Sequence, residues 1–246
     1  MTDRSNAEMV ILANGESAST CWSCGQMRAA HFCTSCGKVQ PPAPADYFAF
    51  FGLPRKLNLD VSGLERDFYE LSRKLHPDLY GTANSHEQEW SLEQTSKLND
   101  AYRTLKDPIE RTRYLLRLEG VELEEQSKAA TEKARSTGQI KQQVVPPDLL
   151  EDVFELNMQL EDLRMQKKMG ENDPALTKEI ENQKRTLEGK YAALLEELKQ
   201  YWNQWDNAAE GDGAGRTKVR DKMLDLLNRR NYIRNLLRDV NEVLEN

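Results

Sequence analysis

No stretch of this 246-residue chain is apolar over anything near the roughly 20 residues that a bilayer-spanning helix needs, and residues 1–20 lack the basic start and apolar centre of a secretory signal. A membrane partner is therefore not expected. The acidic side chains Asp3, Glu8 and Glu16 argue against a mitochondrial presequence, so the expected compartment is a bacterial cytosol rather than a mitochondrial matrix. Aromatic residues reach only 7%, against 30% charged residues, a composition that favours several small helical units over a β-rich core. Positive charge is in deficit as well. The formal net charge is −7, and residues 1–44 hold three basic and three acidic side chains, which argues against nucleic acid as a partner. There is no phosphate-binding glycine loop, internal repeat or β-hairpin signature, and His76 has no Ser, Cys or second carboxylate nearby at nucleophile-and-base spacing. The expectation is a protein that acts on other proteins and is not itself an enzyme. Residues 1–20 carry no periodicity and are expected to be disordered.

Beyond position 36 there is no cysteine. The four that exist form two CxxCG knuckles, Cys21-Trp22-Ser23-Cys24-Gly25 and Cys33-Thr34-Ser35-Cys36-Gly37, with eight residues between Cys24 and Cys33. Each knuckle lets two thiolates approach one ion, and two knuckles complete a tetrahedral set. One structural zinc ion is expected over residues 21–39, with iron the next candidate; paired disulfides or a redox CxxC fit the arrangement less well. His31, between the knuckles, is expected to be a surface or supporting residue, since a fifth ligand is unnecessary. Pro41-Pro42-Ala43-Pro44 reads as an extended linker over 40–45, so chelation is expected to unfold 21–37 and leave the helical parts intact.

From Asp46 onward the pattern is helical. Asp46 to Gly52 has an acidic start, an aromatic body and a glycine stop. Asp60 is placed to cap a helix carrying Leu64, Phe68, Leu71 and Leu75, which runs into His76-Pro77-Asp78 and stops there, because proline disfavours helical geometry in the residue before it. A second stripe follows at Leu98, Ala101, Tyr102 and Leu105, and Asp107-Pro108 opens another helix ending at Gly120. Two such helices would pack antiparallel and present His76, Pro77 and Asp78 at one tip. His86 is expected to be solvated.

These features, over residues 46–120, resemble the J-domain, the module by which a co-chaperone engages a DnaK-type heat-shock chaperone. Asp46-Tyr47-Phe48 with Phe51-Gly52-Leu53, the His-Pro-Asp turn, Leu98-Asn99-Asp100-Ala101-Tyr102 and the run from Arg111 to Gly120 narrow the resemblance to the HscB-type co-chaperones of iron–sulfur cluster assembly. A double-CxxC module is similar to that of animal mitochondrial relatives and is usually missing from the shorter bacterial ones. The resemblance implies that His76, Pro77 and Asp78, with Arg66, Arg73 and Lys74 on the preceding helix, meet an HscA/DnaK-type chaperone and stimulate its ATPase. The alternatives are a zinc-containing general J-protein, an adaptor for other clients or nucleic acid, and an iron-bearing electron carrier.

Residues 121–147 read as a connection, and residues 148–246 as a three-helix bundle, making the whole all-α. The first bundle helix carries Leu149, Val153, Leu156, Leu160 and Leu163 at alternating steps of four and three. The second, opening at Asp173-Pro174, carries Leu176, Ile180, Leu187, Tyr191, Leu194, Leu198, Tyr201 and Trp205; the third carries Val219, Met223, Leu226, Ile233, Leu237, Val240 and Leu244, with Arg230 the polar exception. Leu150, Phe154 and Met158 fall on another face of the first helix, among Asp148, Glu151, Asp152, Glu155, Glu161 and Asp162. Periodicity alone leaves open whether they widen the core or form a docking strip. By resemblance, Leu150, Phe154, Glu155, Met158 and, on the third helix, Tyr232 bind the IscU scaffold protein. Tyr232 sits one residue off the Ile233 seam as Leu150 sits one off Leu149, so the two are expected to be surface neighbours. A weak homodimer is compatible with this reading.

Overall fold

The structure, a computed structural model, describes residues 10–11, 17–18, 20–26, 31–121, 146, 149–171, 173–208 and 213–245. Most of the expected connection at 121–147 lies outside them, as does Asp148. So does most of the first twenty residues, where disorder is expected; among the described ones, Val10–Ile11 pairs antiparallel with Ser17–Ala18. The chain forms two compact units that meet between Arg111 and Thr112.

In the first unit, α1 spans Tyr47–Phe50, α2 Val61–Leu75, a 3-10 turn Pro77–Tyr80 and α3 Ser85–Lys106. The caps follow the sequence with one exception. Asp46 Oδ1 accepts from Ala49 N at 2.9 Å and Asp107 Oδ1 from Ile109 N and Glu110 N, both at 2.8 Å. Asp60 holds the N-cap position of α2 in extended geometry, but its side chain makes no capping bond and faces Arg66 at 3.6 Å instead. The hairpin core joins Leu75 to Leu98 and Ala101, with Phe50 of α1 above them and Phe68, Leu71, Tyr80 and Trp90 at its margin. Phe68 stacks on Tyr102 at 4.0 Å between ring centroids, tying the middle of α2 to the C-terminal half of α3.

Helix α4, Pro108–Leu118, was expected to complete the J-domain up to Gly120. The border between units falls inside it. Its first turn belongs with α3, where buried Arg111 donates from Nη1 to the Leu105 carbonyl at 2.5 Å. From Thr112 onward it belongs to the second unit, where Arg113 donates to the Asn231 side chain.

That second unit holds α5 (Leu150–Met169), α6 (Pro174–Asn207) and α7 (Gly213–Glu245). All five seam residues expected for α5, from Leu149 to Leu163, are buried. Helix α6 opens at Asp173-Pro174 as expected, and Asp173 caps it, accepting from Ala175 N at 2.9 Å and Leu176 N at 3.1 Å, with Pro174 in the first turn. Along α7 the expected seam residues Met223, Leu226, Ile233 and Val240 are buried, but the buried face is wider and also takes in Leu227, Asn231, Tyr232, Leu236 and Val243. A helix of 33 residues drifts by about 20° per heptad against a 3.5-residue repeat, and α7 packs on both α5 and α6, so its apolar stripe is wider than one seam. Arg230, the polar exception, lays its guanidinium 4.0 Å from the centre of the Tyr191 ring, a placement that keeps the charge and still covers apolar surface.

Leu98 and Leu92 test which face of α3 carries the fold, since the first is fully buried and the second is exposed. Leu98→Ala should cost about 2–5 kcal/mol through lost contacts and a residual cavity. Leu92→Ala should stay within about 0.5 kcal/mol. Urea denaturation of the two variants checks the pair, and equal losses would place the core elsewhere.

Candidate functional site

The two knuckles bring all four Sγ atoms of Cys21, Cys24, Cys33 and Cys36 within 4.8 Å of one another. Cys21 Sγ lies 3.7 Å from Cys36 Sγ, and Cys24 Sγ 3.5 Å from Cys33 Sγ. A tetrahedron of thiolates about 2.3 Å from a shared ion has edges of about 3.8 Å, so the donor set fits a four-coordinate metal. Each knuckle closes through a backbone bond from glycine to the first cysteine carbonyl, at 2.9 Å in both cases, and the two glycines adopt φ of 71° and 70°. Only glycine takes that left-handed geometry at little steric cost. Cys21 and Cys33 are buried while Cys24 and Cys36 face outward.

Ionisation is shared unequally. Burial opposes a Cys21 thiolate, but the N–H groups of Cys24 and Ser23, the Gln40 amide and the Cys36 thiol outweigh it and bring that thiol down to about 6. Cys33 is lowered too, chiefly by the Cys36 N–H. The Gln26 N–H favours a Cys24 thiolate, but lost hydration and the thiols of Cys33, Cys21 and Cys36 push it up to about 12.

His31 turns away from the cysteines. Its Nδ1 lies 2.7 Å from Gln94 Oε1 and its Nε2 lies 2.9 Å from the Phe50 carbonyl oxygen. The Gln94 amide cannot be turned round, because its nitrogen donates to the Gln40 carbonyl at 2.7 Å. The expected supporting role of His31 thus has a definite form: it ties the knuckles to α1 and α3. His86 is exposed and stacks on Trp90 at 5.7 Å.

At the end of α2, Leu75 is buried and its carbonyl oxygen accepts from Ser91 Oγ at 2.6 Å and Thr95 Oγ1 at 2.9 Å, while Tyr80 donates its hydroxyl to the Lys74 carbonyl at 3.0 Å. Helix C-termini leave carbonyls without intrahelical partners, and here three hydroxyls take them up. Burial, seconded by the Glu87 charge, raises the Tyr80 hydroxyl above its ordinary value, which keeps it a donor. With the last turn so held, His76 and Asp78 stand exposed. His76 Nδ1 accepts from Asp78 N at 3.3 Å and so caps the 3-10 turn, and Asp78 Oδ2 lies 3.5 Å from the same nitrogen. Arg66, Arg73 and Lys74 are exposed along the same helix; Lys74 pairs with Glu70 at 2.6 Å, which holds the Glu70 carboxyl below its usual range.

In the second unit, Leu150, Phe154 and Met158 are 58%, 68% and 55% exposed, so they do not widen the core. Met165 and Met169, both exposed, prolong the strip to the end of α5, an extension the sequence reading did not single out although the same helical spacing carries it. Glu155 also borders a groove of about 330 Å³ whose floor includes Leu149, Val153, Leu187 and Leu236 and whose rim is closed by a Lys190–Asp152 bridge of 2.7 Å. Tyr232 departs from expectation. It is only 6% exposed, because the widened stripe of α7 draws it inward, and it is not a surface neighbour of Leu150. Burial raises its hydroxyl above the ordinary tyrosine value.

With the Cys24 thiol near 12, metal binding at neutral pH must displace at least one proton. Affinity should therefore rise by about tenfold per pH unit for each proton displaced. Calorimetric titration with Zn2+ in buffers of different ionisation enthalpy counts those protons, and a count of zero near pH 7 would show four preformed thiolates.

No family model matches the chain. It is 38% identical over 112 residues to the iron–sulfur cluster co-chaperone protein HscB homolog of Arabidopsis thaliana, a match covering 45% of this chain and 44% of that protein. The chain thus spans less than half the length of that relative. It is 35% identical over 127 residues to the co-chaperone protein HscB homolog of Bordetella petrii, covering 50% of this chain and 75% of the relative. Among solved structures it is similar to human co-chaperone protein HscB, with a TM-score of 0.61 and 23% identity over 91% of this chain and 97% of the other, a likeness of fold. With the J-domain hairpin, the exposed His-Pro-Asp turn and the helical bundle in place, the match over three quarters of the Bordetella protein shows that the chain belongs to the HscB co-chaperone family.

Proposed function

We propose that the chain is a J-domain co-chaperone of iron–sulfur cluster biogenesis, which binds an IscU-type scaffold through α5, brings it to an HscA/DnaK-type chaperone and stimulates that chaperone's ATPase through His76, Pro77 and Asp78. The observation that carries this reading is the turn itself, exposed at the tip of the hairpin while the helix end behind it is bonded by Tyr80, Ser91 and Thr95. A rigid, solvent-facing loop with an exposed basic helix beside it suits an acidic partner surface. Arg66, Arg73 and Lys74 supply that basic strip, and their charges would act mainly on the rate and orientation of encounter.

The scaffold is proposed to lie on Leu150, Phe154 and Met158, with Glu155 at the rim. Large apolar side chains left more than half exposed on one helix face support a docking surface, since a monomer gains nothing from displaying them. Tyr232 would act from beneath, holding α7 in place. We assign the metal as one zinc ion per chain on the four cysteines, with iron excluded or revealed by visible absorption of the purified protein. Bacterial cytosol is the proposed compartment, supported by the Bordetella match; among the described residues no helix is long and apolar enough to cross a membrane.

His76→Gln should abolish stimulation of the chaperone's ATPase and leave the melting temperature and scaffold binding unchanged, because an exposed loop residue contributes little to stability. Normal stimulation by the variant would remove the J-domain from the mechanism.

Leu150→Ala combined with Phe154→Ala should weaken scaffold binding by well over about tenfold, as expected for apolar anchors worth about 2 kcal/mol each. Thermal denaturation should barely change. Binding retained at wild-type affinity would show that the scaffold docks elsewhere.

A further inference from the structure

We propose that the four-cysteine module is a metal-dependent clamp on the J-domain: occupancy of Cys21, Cys24, Cys33 and Cys36 fixes the N-terminal half of α3, and through it the His76–Asp78 turn, with Glu87, Trp90 and Gln94 as positioning residues. The inference rests on the reading of the cysteines as a metal site and on the role given to the turn.

The module spends its apolar surface on the J-domain. Val39, fully buried, belongs to the same cluster as Phe50, Leu75, Leu98 and Ala101, and Phe32 packs against that cluster. Val39 is in turn held by the knuckles. Its carbonyl accepts from Trp22 Nε1 at 2.7 Å, and Phe32 pairs with it across an antiparallel bridge. A segment this short has no second core to fall back on, so whatever orders the knuckles also orders Val39.

Polar contacts continue the link without a break. Gln40, fully buried, donates from its amide to Cys21 Sγ at 3.3 Å, and its carbonyl accepts from Gln94 Nε2 at 2.7 Å. Two turns earlier on α3, Glu87 is only 3% exposed, and its carboxylate receives Lys38 Nζ at 2.9 Å and the Asn84 amide at 2.8 Å. Asn84 in return accepts from Glu87 N at 2.9 Å, so the residue that meets the module is also half of the box that starts α3. Between them Trp90 meets Trp22 in a T-shaped contact, with 5.6 Å between ring centroids. Glu87, Trp90 and Gln94 recur at steps of three and four and therefore share one face of α3. Ser91 and Thr95, each one position further on, take up the Leu75 carbonyl immediately before His76. The first three turns of α3 thus stand between the metal site and the functional turn. The expectation that metal loss would unfold 21–37 and spare the helices is revised accordingly.

Hydrogen exchange on the full chain, zinc-loaded and after chelation under reducing conditions, tests this directly. Exchange in residues 74–80 and 85–98 should accelerate by about tenfold or more on metal removal, while α6 and α7 remain unchanged. Coupling is reciprocal, so with metal present Glu87→Gln, which keeps the shape and removes the ion pair with Lys38, should weaken zinc affinity by about fivefold or more. Glu89→Gln, at an exposed position on the same helix, is the control and should leave that affinity unchanged. Metal removal that speeds exchange only within 21–40, or a Glu87→Gln variant within about twofold of wild-type zinc affinity, would overturn the clamp and leave the cysteine site an independent bead. A chain that binds no zinc would overturn the metal reading itself, a distinct result.

Discussion

Leu75 is the point at which the parts of the first unit meet. Its side chain is fully buried beside Phe50 of α1, Leu98 and Ala101 of α3 and Val39 of the cysteine module, and its carbonyl oxygen takes two hydroxyl protons from α3. The residue after it is His76. A helix end normally frays because its last carbonyls have only water to bond, and frayed ends blur the geometry of whatever follows. Here the final turn is closed by side chains from a different helix, so the chain leaves α2 in one direction. The ring of Pro77 then fixes its own φ, and its bulk restricts His76 before it. A small exposed turn can present a defined surface because its ordering was accomplished within the core behind it, not in the turn.

The bundle follows a different logic. Helix α5 buries Val153, Leu156, Leu160 and Leu163 on one side and leaves Leu150, Phe154, Met158, Met165 and Met169 exposed on another. An apolar residue contributes to folding only when folding buries it, so the exposed five offer the monomer little. What α5 does gain comes from a single seam, capped at its far end by Gly170 at φ 76° and secured by Lys167 Nζ donating to the Val243 carbonyl at 2.7 Å. Three of the exposed side chains are methionines, whose unbranched and polarisable stems adapt to an irregular partner at little strain. Acidic neighbours keep the strip hydrated when nothing covers it.

Elements were legible in the sequence wherever the governing interaction is local. The cysteine knuckles, the cap at Asp107, the helix starts at Asp46 and Asp173, and the α5 seam all depend on residues a few positions apart, and each appears as read. The failures share a cause. Asp60 occupies its cap position but spends its carboxylate on Arg66, a competition that spacing alone does not rank. Tyr232 was placed by an idealised seam, whereas α7 meets two helices and buries a broader stripe. Glu87 and Gln94 look like ordinary polar positions on a surface helix. Their burial depends on partners 49 and 54 residues away, in a stretch that by itself reads as a separate bead and its linker.

A faint signal for that docking does exist in the composition of α3. Its first half carries Trp90, Ser91, Gln94 and Thr95 where a hairpin helix with one buried face would show apolar residues at helical spacing, and the apolar stripe becomes regular only from Leu98. A helix face made of groups that both donate and accept gains little against featureless apolar surface, because each unpaired group would be left desolvated. It gains a great deal against exposed backbone. The partners found are of that kind: the Leu75 and Gln40 carbonyls are met by Ser91, Thr95 and Gln94. The extended segment 40–45 supplies carbonyls no helix or sheet would use, and Lys97 reaches the one at Ala43 at 3.4 Å. Polar α3 and the proline-rich strap are therefore complementary, and each accounts for a composition that is anomalous in the other's absence.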